Sequence, residues 1–343
     1  MVGAIDESLM KRLLVIAYPI AKDTLSLTLD SLYAAANARG LHIQILRLKK
    51  PFASDYRDRI RSEIWKFTPD IILCFGPEAT QAAVALRAAG IRVIALHWFV
   101  PNWNKRLAQL GHGNLTQRVR AMRLLPLTYR RNRKEWNLHN TGKAYAGADK
   151  VISLSAIDAK RFGYAYHPMP LATRPTFQRA PRENEYLITA HTSSSGEAVA
   201  LRYFAKRVAL CLPNRSTVRM ASASPAGEIC INPLLWVEKI DLRVLEASYA
   251  TCAAVIVPSP LGEEPCRTLD ALRYGVPLIA HTANSRLTPE LKSLHNCVLA
   301  ESSREWQLAF KFSPEYLNKL ATTGREEFDN VMSADHFLDR VDA

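Results

Sequence analysis

Residues able to do chemistry are densest between Ala254 and Ala280 of this 343-residue chain, in the stretch AVIVPSPLGEEPCRTLDALRYGVPLIA. An apolar run, Val255–Val257, reads as a buried strand and ends in Pro258-Ser259. The loop after it carries two adjacent carboxylates, Glu263 and Glu264. A helix is expected from about Cys266 to Tyr274, stopped by Gly275, and Pro277 restarts an apolar strand. Carboxylates and a helix N-terminus are thus presented together at a strand end. A carboxylate accepts several hydrogen bonds at once, which suits sugar hydroxyls. Arg267 in the first helical turn offers a forked donor that matches phosphate. Asp270 lies one turn later on the same face. The alternative for Arg267 and Asp270 is an ordinary surface ion pair, and spacing alone leaves both open.

A second polar segment, Ala190–Gly196, reads AHTSSSG. Backbone and hydroxyl donors of Thr192–Ser195 can cradle a phosphate. They can equally cap a helix expected over Glu197–Ala209.

The elements that must hold these residues alternate regularly. Strands are expected at Leu13–Tyr18, His42–Leu48, Ile71–Phe75, Ile91–Leu96 and Lys150–Leu154, with helices at Leu25–Arg39, Tyr56–Phe67, Glu78–Ala89, Arg118–Tyr129 and Glu135–Ala146. After Arg174–Asn184, a polar stretch with two prolines that reads as a linker, the pattern restarts. Strands at Tyr186–Ala190, Ser216–Ala221, Ala254–Pro258 and Pro277–Ala280 are interleaved with helices at Leu242–Ala250 and Arg267–Tyr274. Two helices are expected after Ser313. Such alternation builds βαβ units and parallel sheets. The expected fold is α/β with two Rossmann-like domains, at residues 10–173 and 185–325, and a closing helix over 326–343. In open sheets of this kind ligands sit at the carboxyl ends of the strands.

The stretch from Val255 resembles the donor-binding signature of family-4-like GT-B glycosyltransferases: strand, Pro-Ser, an acidic loop, a Leu-Glu-Ala helix, Gly-Val-Pro, strand. Trp236–Ala253, Gly147–Phe162 and Leu317–Asp342 resemble further parts of that family, so the likeness spans nearly the whole chain. It implies transfer of a sugar from a nucleoside diphosphate to an acceptor hydroxyl, with retention and with no cofactor or metal. The family's two acids flank seven other residues. Asp270 matches the second, which binds the ribose. Strict spacing puts the first at Gly262, so Glu263 is one residue off and Glu264 two. A shortened loop brings Glu263 to the donor sugar. Arg267 matches a basic residue that faces the diphosphate. Arg92–His97, RVIALH, matches a strand that ends in a functional histidine near the acceptor, which makes His97 the candidate in the first domain. Its alternative is a histidine that merely closes a strand end beside Trp98 and Phe99. Where the family has an Arg and a Lys five apart, this chain has His191 and Gly196. His191, Thr192 and Ser193 are therefore the donor-side candidates there. The loop Tyr18–Asp23 lacks the family's glycines.

Composition narrows the partners. The net charge is +13, and from Ala79 to Lys134 there is no Asp or Glu while eleven Lys or Arg occur. Such a field draws anionic lipid surfaces, phosphorylated acceptors or nucleic acid, unless it is simply a solvated face. A lipid-linked or surface glycan is the first acceptor expected, with Trp98, Trp103 and Trp136 at an interface. A DNA base, flipped out for modification, is the second. The remaining readings are a non-catalytic module that binds a nucleotide sugar and, further off, sugar epimerisation. The six cysteines form no C-x-x-C pair and read as reduced, mostly buried thiols of a cytoplasmic protein, peripheral at most to the inner membrane face.

Overall fold

The computed structural model describes residues 11–17, 22–48, 55–97, 115–140, 142–173, 179–189, 200–222, 227–233, 235–241, 244–260 and 265–342. Glu263, Glu264, His191, Thr192, Ser193, Trp98 and Trp103 lie outside the described residues. The chain forms two compact units, one of Met1–Phe99, Arg133–Ala172 and Met332–Ala343, the other of Val100–Asn132 and Thr173–Val331.

The first unit holds a six-stranded sheet in the order β2-β1-β3-β4-β5-β6. Its strands are β1 (Arg12–Ala17), β2 (His42–Arg47), β3 (Ile71–Phe75), β4 (Arg92–His97), β5 (Lys150–Ser153) and β6 (Ala165–Tyr166). Every neighbouring pair is parallel. β1, β3 and β4 carry the apolar runs Leu13–Ala17, Ile71–Phe75 and Val93–Leu96 because both faces are covered, as parallel sheets require. One face packs on α1 (Lys22–Ala38) and on α11 (Ala334–Asp342), through Leu29, Leu32, Phe337 and Leu338. The other packs on α2 (Tyr56–Phe67) and α3 (Pro77–Leu86), through Ile60, Ile64 and Ala83. The last residues of the chain thus belong to the first core. Arg39 fastens α11 through Asp335 at 3.1 Å and Asp339 at 2.6 Å.

The second unit holds a seven-stranded sheet in the order β13-β12-β11-β7-β8-β10-β9. Its strands are β7 (Glu185–Thr189), β8 (Thr217–Ser222), β9 (Gly227–Asn232), β10 (Leu235–Asp241), β11 (Ala254–Val257), β12 (Leu278–His281) and β13 (Val298–Ala300). All pair in parallel except β9, which is antiparallel to β10. From β7 the winding goes one way to β8 and the other way to β11, so the crevice between β7 and β11 is the topological switch point. The helices are α6 (Leu245–Thr251), α7 (Pro265–Arg273), α8 (Ala283–Leu287), α9 (Ser303–Ala309) and α10 (Pro314–Glu327). Gly324 lets α10 lie against α7, because a Cβ there would stand 2.7 Å from Leu272 and 2.9 Å from the Asn296 carbonyl.

Several local expectations are corrected. The two helices expected at Arg118–Tyr129 and Glu135–Ala146 are one helix, α4 (Leu115–Asn140), with Pro126 inside it. The residues between them, RRNRK, are mostly good helix formers and give no stop. The helix expected to reach Ala209 turns π-helical at Phe204–Val208 and then 3₁₀ at Ala209–Cys211. The basic stretch 79–134 is not one solvated face either. Arg87 pairs with Asp149, and Arg92 donates to the Asp342 carbonyl at 3.0 Å. On α4, by contrast, Arg118, Arg123, Arg130 and Arg133 are exposed, together with Val119, Met122 and Tyr129. Among the described residues no helix is long and apolar enough to cross a membrane. Cys74, Cys252 and Cys297 are buried free thiols, and burial pushes the thiols of Cys252 and Cys297 up to about 12. Cys230 is exposed and Cys211 half-buried.

Candidate functional site

In the second unit β11 delivers the chain to the carboxyl edge of the sheet, and α7 turns back from that edge. The helix is buried on nearly every side: Thr268, Leu269, Ala271 and Leu272 are fully covered. Its polar residues are covered as well. Arg267 is 7% exposed, Asp270 2% and Arg273 3%. The pair expected as a possible surface ion pair is therefore an interior one, and it is part of a trio. Arg267 Nη1 lies 3.5 Å from Asp270 Oδ2, and Arg273 Nε lies 2.7 Å from Asp270 Oδ1. The three residues follow one another at i,i+3, which places them along one stripe of the helix.

Aromatic rings wall the trio. Tyr249, from α6, stacks on Tyr274 with centroids 4.8 Å apart. The Arg273 guanidinium sits over the Tyr274 ring at 5.0 Å. Burial raises the Tyr249 hydroxyl well above its ordinary range; Asp270 adds to this, and the two arginines oppose it. Arg325 of α10 donates to the Arg273 carbonyl and pairs with Asp329 at 2.7 Å, which ties the end of α7 in place. Gly275 follows with φ near +61°, the left-handed turn that ends the helix.

In the first unit β4 ends in His97, which is 1% exposed. Its Nδ1 lies 3.0 Å from the Tyr145 hydroxyl and its Nε2 3.4 Å from Asp158 Oδ2. The His139 ring stands edge-on at 4.6 Å, and Tyr164 and Phe162 close the box at 5.5 and 5.9 Å. Asp158 is placed by a helix cap: the Ser155 hydroxyl accepts its backbone N–H at the start of α5 (Ala156–Phe162), just beyond β5. His139 Nδ1 meets the Tyr164 hydroxyl at 3.1 Å. Burial, then the neighbouring His97, lowers His139 to about 4, against the opposing pull of Asp158. A phenol held above its ordinary range, as Tyr145 is by burial, stays a donor at neutral pH.

The structure thus brings Arg267 and Asp270 together and adds Arg273 and Tyr249, which the sequence reading left out. It encloses His97 in a box of rings with Asp158 and Tyr145, also left out. Arg273 was legible as the next member of the 267/270 series, and Asp158 as the third residue after a capping serine.

No family model matches the chain, and no curated protein matches it. Solved structures do. The chain aligns over 97% of its length, and 98% of the other's, with an alpha-glucosyltransferase in complex with UDP and a 13-mer DNA containing a central A:G mismatch, at TM-score 0.61 and 11% identity. It aligns with HepE of Anabaena in complex with UDP at TM-score 0.54 and 11% identity, over 96% and 99% of the two chains. It aligns with the lipopolysaccharide outer core galactosyltransferase WaaB, apo form, at TM-score 0.53 and 10% identity, over 96% and 99%. The fold is that of the GT-B glycosyltransferases, α/β with two parallel-sheet domains.

Proposed function

We propose that the chain is a glycosyltransferase that moves a sugar from a nucleoside-diphosphate donor to an acceptor hydroxyl, with retention at the anomeric carbon. The observation that carries this reading is Arg267, a guanidinium held in the first turn of the helix after β11, in a GT-B fold. A cation there stabilises a leaving diphosphate while positive charge builds at the anomeric carbon. Asp270 serves the ribose, Glu263 and Glu264 the donor sugar, and His191, Thr192 and Ser193 the phosphates. His97 belongs to the acceptor side, where its box fixes it as part of the wall.

The acceptor reading follows charge. The exposed arginines of α4 alternate with Val119, Met122 and Tyr129, a combination that suits an anionic lipid surface carrying a glycan. A DNA acceptor is the second reading, favoured by the same helix and by the DNA in the aligned alpha-glucosyltransferase. Pelleting with anionic vesicles supports the first; salt-sensitive duplex binding supports the second.

The direct test of donor binding is a melting-point panel with UDP-, GDP-, ADP- and CMP-sugars, since a ligand of the native state raises the midpoint by mass action. A shift with none of them overturns the reading. Arg267→Ala is expected to lower donor turnover about 10²- to 10³-fold and to keep the fold, because Arg273 still faces Asp270. Turnover like the wild type removes Arg267 from the mechanism.

A further inference from the structure

The carboxyl ends of β11, β12 and β13 carry a second cluster of titratable side chains. They floor a pocket of about 580 Å³, with Pro260 beyond β11, His281 at the end of β12 and Glu301 just after β13. Arg207, from the π-helical turn, and Arg286, from α8, also line it, with Tyr203 and Glu305. Small-ligand pockets run from about 300 to 1,000 Å³. We infer that this pocket takes the sugar of the donor, and that the sugar is a uronic acid whose carboxylate meets Arg207 and Arg286. The inference rests on the reading that a nucleoside-diphosphate sugar binds at the end of β11.

Position gives the first reason. The switch-point crevice lies between β7 and β11, and β12 and β13 lie on the other side of β11. A donor whose diphosphate is held at the end of β11 has its nucleoside on one side and its sugar on the other. Neighbouring strands are about 4.8 Å apart, so three strand ends give a floor about 10 Å wide, room for one pyranose ring. In the sequence Pro260 stands three residues before Glu263, which the same reading gives to the sugar.

Charge gives the second reason. Arg207 and Arg286 are exposed, and among the described residues neither guanidinium has an ion pair or a hydrogen bond. Two cations on one pocket repel each other, and an anion between them removes the repulsion. A guanidinium meets a carboxylate through two parallel N–H donors. The acids of the pocket are tied to its own wall instead. Glu305 Oε2 accepts the backbone N–H groups of Ser302 at 2.8 Å and Glu301 at 2.9 Å, and these bonds hold Glu305 below its ordinary range. Glu301 Oε2 accepts the Thr282 hydroxyl at 2.8 Å. The second oxygen of each carboxylate can accept the hydroxyls of a sugar ring. His281 Nδ1 accepts the Ala283 N–H at 3.0 Å, which leaves the ring proton on Nε2. Tyr203 stands edge-on to that ring at 5.0 Å and donates to the Glu301 carbonyl at 2.6 Å. A neutral hexose answers the acceptors of this pocket and leaves both arginines without a counter-charge. A hexuronate answers both.

The test uses the full chain and calorimetric titration with two matched pairs, UDP-glucuronate against UDP-glucose and GDP-mannuronate against GDP-mannose. The readout is the affinity ratio within a pair. The wild type is expected to bind the acid of one pair about 10-fold or more tightly than its neutral partner, the worth of one charge-assisted hydrogen bond. Arg207→Gln combined with Arg286→Gln is expected to bring that ratio to within about 2-fold of unity. A merely structural role weakens both members of the pair alike and leaves the ratio in place. A wild type that binds the neutral sugar as tightly as the acid leaves the donor reading standing and overturns the inference. A double variant that keeps the wild-type ratio also overturns it. If the wild type binds none of the four, the inference falls, and the wider panel of UDP-, GDP-, ADP- and CMP-sugars decides the donor reading separately. Should the double variant fail to fold by circular dichroism, each single variant carries the comparison and is expected to lose about 3-fold of the ratio. An unchanged ratio in both single variants refutes the inference.

Discussion

The two units bury titratable side chains in opposite ways. Around His97 the first unit gathers two histidines, two tyrosines, a phenylalanine and one carboxylate, and the rings outnumber the charges. Along α7 the second unit buries two guanidiniums on one carboxylate. An aromatic box disfavours an added proton, which is why His139 falls to about 4. A guanidinium cannot escape by losing its proton, so the α7 trio keeps its charge and must be paired. The first arrangement makes a rigid, neutral wall, and the second keeps positive charge ready beside a strand end. The proposed assignment of the donor anion to the second unit follows that difference.

Acid separates the two most strongly. His139 and His167, both in the first unit, are each lowered to about 4 from 6.5, chiefly by burial. His167 donates from Nδ1 to the Pro168 carbonyl at 2.5 Å and stands edge-on to Phe337, with Arg340 and His336 opposing a further charge. A histidine whose folded pKa is depressed leaves the folded state with fewer protons than the unfolded chain. Its stabilising contribution is therefore complete above about pH 6.5 and is lost as pH falls toward 4. For His167 the loss is on the order of 3 kcal/mol, and His139, lowered in the same direction, adds to it. Hydrogen exchange between pH 7.5 and 4 is expected to show protection falling in β1, β3 and β4 before β7 and β11. His167→Gln is expected to flatten that dependence. Equal loss in both units breaks the contrast.

Packing under α7 comes next. Gly324→Ala puts a methyl 2.9 Å from the Asn296 carbonyl oxygen, which cannot swing aside as the Leu272 side chain can. Overpacking of this kind costs about 1–3 kcal/mol. Displaced α10 holds the end of α7 through Arg325, so nucleotide affinity is expected to drop along with the melting point. A drop in stability with unchanged affinity shows that the trio tolerates movement of its helix.

The sequence was most legible where physics is local. Ile71–Phe75 reads as a strand to the residue because a five-residue apolar run, followed by Gly-Pro, can only be a strand covered on both faces. β13 was missed because Val298–Ala300 is three residues long and shows no period. The β9–β10 pairing is not legible because the two residues between the strands in the sequence, Pro233 and Leu234, include no Gly or Asn to signal a hairpin. At the site, Arg267 and Asp270 follow from helix spacing, and the burial that turns them from a surface pair into an interior one depends on α10, some fifty residues on. The box around His97 was not legible at all. Tyr145 and Asp158 lie 48 and 61 positions away, and only the sheet order brings them to the end of β4.

The finest probe of the contrast is the hydrogen bond that orients His97. The Tyr145 hydroxyl keeps its proton at neutral pH and lies 3.0 Å from His97 Nδ1; with that hydroxyl donating, the ring proton sits on Nε2, on the side of Asp158 Oδ2 at 3.4 Å. Tyr145→Phe keeps the edge-on ring contact at 5.8 Å and removes only that donor. The expected cost is about 1 kcal/mol, the net worth of one buried neutral hydrogen bond. Nitrogen chemical shifts of the His97 ring are the sharper measure. In the wild type they are expected to report a single Nε2–H tautomer, and in Tyr145→Phe a mixture, because nothing then prefers Nδ1 as the acceptor. A single unchanged tautomer in the variant assigns the orientation of the ring to Asp158 alone. The first unit would then also depend on a buried charge, and the contrast with α7 would narrow to the number of cations each carboxylate faces.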